Sequence, residues 1–462
     1  MKWANQIGKG LQWLLPSPFS IALVLTIFTF ILALLFGTNG SGSSVSFLET
    51  LQAWEKGLWN PALLAFAIQM MLILVLGHCL ALSAPVNWLI EKITKVCNTS
   101  AKAAAFVCFF TLIVAFFNWG LGLIFGAILA RKVAENAKAK GYNINYPLVG
   151  AAGYSGFIIW HAGISGSATT KVAETGHLKS LMSGLLPPEK IALLPEAISF
   201  NNTVFSTMNL TLCLIVLVTL PLSLWLLGNK LPHKKIKLKK YKAFKVKTKA
   251  VSGAERMDHS SIVGRLLGIG IISYSLISTV TSIGQFNFQF ITPNFINLNL
   301  LGLALIFHKS IAHFLTAIDA AIGGAAAILI QFPLYFGIMG VMKDTGLISQ
   351  ISDYFVSIST SDSYPLLSLA SAGLVNVFVP SGGGQWAVQG PLLVHAALEL
   401  NIPLEKCIMA LCYGDQLTNM LQPFWALPLL GITGLKAKEI LPYTIILMLI
   451  GGLIFSLGIL LF

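Results

Sequence analysis

The chain reads as long apolar runs separated by short polar joints, and several runs are broken by glycine or proline rather than by charge. About 20 apolar residues suffice to cross a bilayer as a helix. On that measure Phe19 to Gly37, Pro61 to Ser83, Asn201 to Leu227, Ile262 to Ile283, Ala321 to Met342 and Ile440 to Phe462 predict full spans. Phe295 to Phe307 reads as a short, oblique span, and Phe47 to Trp59 as an amphipathic stretch at the outer interface. Tyr146 to Ser167, with Gly153, Gly156, Gly163 and Gly166, predicts a discontinuous helix, as does Leu404 to Leu427, interrupted by Pro423.

Two runs do not fit a simple crossing. Ala103 to Ala130 is uncharged, yet Lys92, Lys95 and Lys102 precede it and Arg131, Lys132, Lys138 and Lys140 follow it. Basic residues collect on the cytoplasmic side. The run is therefore expected to enter and leave on one side, as a re-entrant hairpin over 103–130 that turns at Asn118-Trp119-Gly120-Leu121-Gly122. The 36 residues from Ser363 to Leu398 hold no Asp, Glu, Lys or Arg and contain Val379-Pro380-Ser381-Gly382-Gly383-Gly384-Gln385-Trp386. They predict a second hairpin over 365–398, entered from outside, with Pro380 to Gly384 at its tip. Non-helical backbone inside a bilayer persists only where protein or a watery cavity satisfies its N–H and C=O groups, so both tips point to a transport site.

Composition supports a membrane protein: 56% of residues are hydrophobic, 10% are charged and the mean hydropathy is +0.79. A soluble domain carries about 25% charged residues. The formal charge of +13 is concentrated, with eleven Lys and Arg between Asn229 and Arg256 against one acidic residue, Glu255. Between apolar spans such a run marks a cytoplasmic loop beside anionic lipid rather than a nucleic-acid site. With the N-terminus also inside, the segment Thr170 to Phe200 falls outside. Lys2 and Lys9 before an apolar run imitate a signal peptide. Phe19 to Gly37 is long enough to span, however, and Thr38-Asn39-Gly40-Ser41 lacks a convincing cleavage pattern. The six cysteines form no C-x-x-C and read as packing residues, with no metal site indicated.

Gln69 and Gln331, Gly120 and Gly382, and Gly122 and Gly384 share one offset, 262 residues, while the charge-based topology runs the two halves in opposite directions. That is the mark of an inverted repeat. The expected fold is an all-α polytopic membrane protein, an inverted repeat with about nine transmembrane spans and two re-entrant hairpins. A first membrane repeat covers 1–228, a basic cytoplasmic linker 229–261 and a second repeat 262–462.

Helix N-termini at the hairpin tips expose N–H groups suited to a small anion. Asn118, Trp119, Gly120 and Gly122 at one tip, and Ser381, Gly382, Gly383, Gly384 and Gln385 at the other, are the candidate substrate contacts. The alternative is that these glycines only let helices pack closely. Asp415, Asn419 and Gln422 fall at spacings of four and three on one helix face before Pro423. A carboxylate within an apolar segment is a functional candidate by default. Asp415 is expected to bind a proton or contribute to a coupling-cation site, with Asn419 and Gln422 touching substrate or ion; the alternative is a helix cap near the external interface. His161 reads as a packed hydrogen bonder, although its imidazole titrates near neutral pH. Asp319 reads as a cap of the helix that begins nearby. Trp119, Trp386, Phe424 and Trp425 are candidates for the wall of an acyl pocket.

Three blocks carry a family resemblance: Val379 to Pro391 (VPSGGGQWAVQGP), Tyr413 to Pro428 (YGDQLTNMLQPFWALP) and Phe117 to Gly126 (FNWGLGLIFG). From about Leu14 to Phe462 the chain resembles the short-chain fatty acid transporters associated with bacterial acetoacetate and butyrate use. The resemblance implies uptake of short monocarboxylates across a bacterial inner membrane and a place in the wider group of ion transporters with paired hairpins, which commonly work by elevator movement. Tyr154 to Ser167 departs from the family, with Trp160-His161-Ala162 where members are richer in glycine. The function expected is secondary active transport of a short-chain monocarboxylate coupled to a proton or sodium, in a lipid bilayer, with no cofactor and no nucleic acid; a homodimer is left open. A membrane-embedded enzyme is disfavoured, since neither H-E-x-x-H nor G-x-S-x-G occurs. A passive channel and a carrier of a larger dicarboxylate are the remaining alternatives, the latter requiring a second cationic subsite.

Overall fold

The computed structural model describes residues 18–39, 42–232, 238, 252–283, 290–379 and 381–462. Pro380 and most of the basic linker lie outside the described residues. Helices α1 (Pro18–Phe36), α2 (Phe47–Leu58), α3 (Pro61–Ala81) and α4 (Ala84–Thr94) lead to the arms α5 (Ser100–Phe117) and α6 (Trp119–Lys140). The short α7 (Tyr146–Tyr154), a tight turn over Ser155–Ile158, α8 (Ser167–Val172), α9 (His177–Met182) and α10 (Pro188–Ala192) then precede the long α11 (Thr207–Lys230).

After α12 (Glu255–His259) come α13 (Val263–Ile283), α14 (Pro293–Phe307), α15 (Ile311–Ala321), α16 (Ala326–Asp344) and α17 (Leu347–Ile358). The arms α18 (Tyr364–Phe378) and α19 (Gly382–Glu399) follow. Then α20 (Leu404–Thr418), a turn at Asn419–Leu421, α21 (Pro423–Thr433) and α22 (Ala437–Leu461) end the chain.

Among the described residues six helices are long and apolar enough to cross a membrane: Pro61–Ala81, Ser100–Phe117, Thr207–Lys230, Val263–Thr281, Ile311–Asp344 and Ala437–Leu461. Apolar side chains stand exposed along α1 (Val24, Ile27, Leu35), α11 (Leu214, Val218), α13 (Leu266, Ile277, Val280) and α22 (Leu453, Leu460). In water such a surface would be an association liability; around a helical body it is the face for lipid. By contrast, every residue of α20 except Glu405, Lys406 and Thr418 is buried, which places this helix at the centre.

The helices on either side of each expected turn, α5 with α6 and α18 with α19, run as antiparallel arms. In the first, Gly122 lies against the backbone of Ala115 and Gly126 faces the Thr111 methyl, a register centred on the turn at Asn118. In the second, Gln385 Nε2 donates to Ala372 O at 2.9 Å and Gln389 Nε2 to Ser371 Oγ at 3.0 Å. Each hairpin also packs on the broken helix of its own half through paired glycines, Gly126 on Gly153 and Gly373 on Gly414.

One expectation needs correcting. Asp319 caps nothing: it is exposed in the last turn of α15, whose cap is Ser310, accepting from His313 N. The run expected from Ala321 instead begins at Ile311 and tightens over Ile322–Ala325 before α16. Thr170 and Lys171, the first residues of the segment expected outside, are buried against the rest of the protein in α8. All six cysteines are free and buried.

Candidate functional site

The two hairpin tips are built alike. Asn118 is extended (φ −153, ψ 121) and its Oδ1 accepts the Leu121 N–H at 2.7 Å; Ser381 is extended (φ −162, ψ 112) and its Oγ accepts the Gly384 N–H at 3.2 Å. Each side chain caps the helix that leaves the turn, an arrangement worth about 1 kcal/mol. The remaining first-turn N–H groups have no intrahelical partner by position. At the first tip one of them is taken, since Trp119 N donates to Ser165 Oγ at 3.0 Å.

The two helix breaks, after Ile158 and after Thr418, lie against each other. Tyr154 Oη donates to Asn419 O at 2.9 Å, and Ala162 N donates to Gln416 Oε1 at 3.1 Å. Between them, His161 Nδ1 is hydrogen-bonded to Asp415 Oδ2, both side chains fully buried. His161 Nε2 accepts the backbone N–H of Ala168 at 3.0 Å. A ring nitrogen that accepts carries no proton, so the imidazole proton sits on Nδ1 and is donated to Asp415. Asp415 Oδ1 has no hydrogen-bond partner among the described residues. A bare carboxylate in that position is costly, and a proton or a cation there would relieve it.

Asn376, on α18, ties the second hairpin to this break. Its Nδ2 lies 2.7 Å from Asp415 O, 2.9 Å from Thr418 Oγ1 and 3.0 Å from Asn419 Oδ1, and its carbonyl accepts from Gln422 Nε2 at 2.5 Å. Asn376 Oδ1 and Gln422 Oε1 are buried without partners among the described residues, like Asp415 Oδ1.

Trp119 and Trp160, from the first tip and first break, enclose a small cavity with Ser381, Gly382 and Gly383 of the second tip and Trp425 beyond the second break; Met70, Ser167 and Phe332 complete much of its wall. Its free space admits about one water. The indole N–H groups of Trp119 and Trp160 are buried without partners among the described residues. The residues that line the cavity thus carry uncharged donors, these two indoles and the backbone N–H groups of Gly382 and Gly383 in the first turn of α19. The rings pack closely, Trp119 lying 5.7 Å from Trp160 and 5.5 Å from Trp425.

Of the residues expected at the site, Trp119, Ser381, Gly382 and Gly383 border the cavity. Gly382 also lies against the imidazole that meets Asp415: a Cβ there would lie 2.6 Å from Trp160 and 2.8 Å from His161 Cε1. Asp415, Asn419 and Gln422 form the polar layer described above. The others are placed differently. Gly120 packs on the backbone of Leu74 and Gly122 on that of Ala115, so both serve helix contact. Gly384 faces Tyr335, and Gln385 braces the hairpin through Ala372 O and Gln389. Asn118 does not line the cavity; its Oδ1 is held in the capping bond while its Nδ2 is buried without a partner among the described residues. Trp386 donates its indole N–H to His177 Nε2 at 3.0 Å, away from the cavity lining. His161 as Asp415's partner, Asn376 as the knot and Trp160 as a wall were not assigned from the sequence; the signal available was the polar cluster itself in an otherwise apolar break.

Helices interrupted at mid-length, with helix-capped turns that meet these breaks around a small buried cavity, fit the build of a membrane transporter. Two solved transporters share the fold: the Alcanivorax borkumensis YdaH transporter (TM-score 0.61, 14% identity, covering 96% of this chain and 97% of that one) and Neisseria gonorrhoeae MtrF, described with a class of antimetabolite efflux pumps (TM-score 0.57, 12% identity, 98% and 96%). Residues 4–462 match the family described as Short chain fatty acid transporter, and the chain belongs to that family. Its similar relatives include two proteins named "Putative short-chain fatty acid transporter". The one from Escherichia coli (strain K12) is 35% identical over 456 residues, 98% of this chain and 97% of that one. The one from Haemophilus influenzae is 34% identical over 450 residues, 96% of each.

Proposed function

We propose that the chain takes up short-chain monocarboxylates such as butyrate and acetoacetate, coupled to a cation, by alternating access of elevator type. The observation that carries this reading is the cavity bordered by Trp119, Trp160 and Ser381 to Gly383: its donors are uncharged N–H groups, enough for one small carboxylate, and its remaining wall is apolar and suits a short acyl tail. The relatives are named for short-chain fatty acids, the class to which butyrate belongs. Because the cavity is closed around about one water, the acid must enter in a different conformation, as alternating access requires.

The coupling cation acts at Asp415, either as a proton on Oδ1 or as sodium shared with the oxygens of Asn376 and Gln422. The two halves, 1–228 and 262–462, are read as inverted repeats moving about this shared centre in a bacterial inner membrane, with the N-terminus and the 229–261 linker cytoplasmic; a homodimer fits an elevator, whose moving part slides against a fixed one.

The test is uptake of labelled butyrate and acetoacetate into proteoliposomes, with the flux of protein-free vesicles subtracted and proton and sodium gradients imposed separately. Saturable uptake accelerated by one of the two gradients is expected. Flux that does not saturate with either acid overturns the substrate reading, and saturable flux indifferent to both gradients overturns the coupling.

A further inference from the structure

Among the described residues, only Lys171 and Arg131 are buried lysines or arginines, and only Lys171 lies near the cavity. It stands on α8, one helical turn after Ser167, a wall residue of the cavity. On the facing helix α3 the order is reversed. Ser167 Oγ lies 3.4 Å from Met70 Sδ at the cavity wall, and one turn away Lys171 Nζ sits 5.4 Å over the ring of Phe66. Phe66 in turn abuts Gly383 at the second hairpin tip, where a Cβ would meet its ring at 3.0 Å. The ammonium is thus about one turn, roughly 5 Å along the helix, from the cavity.

Lys171 is masked. Glu174 Oε2 pairs with its Nζ, and the other carboxylate oxygen accepts from Gln69 Nε2 at 3.0 Å. Gln69 Nε2 also lies 3.0 Å from Asn294 Oδ1. The Glu174 side chain is 21% exposed against 7% for Lys171, so the pair leads from the buried wall to the surface. A carboxylate arriving there has the charge and shape of the Glu174 group it would replace, and its alkyl tail would meet Phe66.

Resting on the reading of the cavity as a carboxylate site, we propose that Lys171 is a staging site for the substrate's carboxylate, exchanged from Glu174 before the acid moves one turn inward to the hairpin tips. The cation selects anions at the entrance, and the uncharged donors within hold one carboxylate without trapping it. A lysine serves as a compact point charge with rotatable donors, so it can pass the ligand on.

The experiment measures KM and maximal rate for labelled butyrate in proteoliposomes of the parent, Lys171→Arg, Glu174→Gln and the double variant Lys171→Met/Glu174→Gln, which leaves no orphaned charge. The double variant should raise KM about tenfold, more than it lowers the maximal rate. Lys171→Arg should stay within about threefold of the parent KM, and Glu174→Gln, which unmasks the ammonium, should lower KM by about twofold or more. A purely structural pair would move the two glutamate variants in the same direction. If the parent transports butyrate and the double variant keeps the parent KM, or Glu174→Gln raises KM, the staging site is overturned while the cavity reading stands. A parent without saturable butyrate flux overturns both.

Discussion

The contact between Gly382 and the buried pair makes one substitution unusually informative. In Gly382→Ala the new Cβ would lie 2.6 Å from Trp160 Cη2, 2.8 Å from His161 Cε1 and 3.1 Å from His161 Nδ1. Carbon atoms are comfortable at about 3.5–4.0 Å, so a ring must move by about 1 Å. Neither ring is a loose end. They stack at 4.5 Å, the imidazole is held at both nitrogens, and Trp160 is flanked by Trp119 and Phe157. Overpacking of this kind costs about 1–3 kcal/mol, against which alanine gains up to about 1 kcal/mol over glycine within a helix. The closed conformation should therefore lose about 1–2 kcal/mol, which at 1.4 kcal/mol per factor of ten depletes it about five- to thirtyfold. In the alternating access proposed above that conformation is a step of the cycle, so the initial rate of butyrate uptake should fall by a comparable factor. The control is Gly431→Ala, where a Cβ meets nothing within 4 Å. Uptake by both variants is compared at equal protein, with thermal unfolding in detergent to establish that each is folded. A Gly382→Ala protein within about twofold of the parent rate would refute the argument, because the tip would then not press on the pair during transport.

Other outcomes follow from the same geometry. Asp415→Asn keeps the acceptor for His161 Nδ1 but cannot take up a charge, so uptake should lose its response to the driving gradient while exchange of labelled for unlabelled butyrate persists; the two assays on one preparation check this. Trp119→Phe keeps the ring against Trp160 and Trp425 and removes the unpartnered indole N–H; KM for butyrate should rise about three- to tenfold if that donor meets the carboxylate. At the far end of α19, the hydrogen bond from Lys190, at 2.5 Å, holds the Glu399 carboxyl below its ordinary value. A depressed folded-state pKa stabilises above the unfolded value and ceases to do so as pH falls through the folded one. The tie between α10 and α19 should therefore hold at neutral pH and loosen on acidification, with Glu399→Gln loose throughout; amide exchange over Pro188–Ala192 reads it.

What the sequence made legible was whatever the backbone decides locally. A cap followed by glycines interrupts a helix locally, so the turns at Asn118 and Ser381 could be located before any neighbour was known; the arms about the first were read from the charge at their ends, those about the second from a charge-free run broken by glycines. Which way each glycine faces was not local. Gly120 and Gly122 look the same in the sequence as Gly382 and Gly383, but Leu74 and Ala115 occupy the space beside the first two, and the cavity adjoins the others. Lys171 was placed only by the side of the membrane its segment falls on; that it is buried there rests on the ring of Phe66 and the carboxylate of Glu174, which the sequence does not bring together. Asp319 was read as a cap because the helix was begun too late, past the Ser310 signal that starts it ten residues earlier.

Asp415 illustrates the boundary most sharply. A carboxylate inside an apolar helix announces that some group or ion must meet it, since leaving it bare costs more than the fold can spare. It does not say which group. The imidazole that does so is His161, 254 positions away and in the other half of the chain. Each half therefore carries one member of the pair, and each hairpin tip adjoins a break to which the other half contributes. Movement of the second tip away from His161 would uncover the pair and open the cavity in the same step, which is how binding of an acid at the tips and loading of a cation at Asp415 would be made to depend on each other.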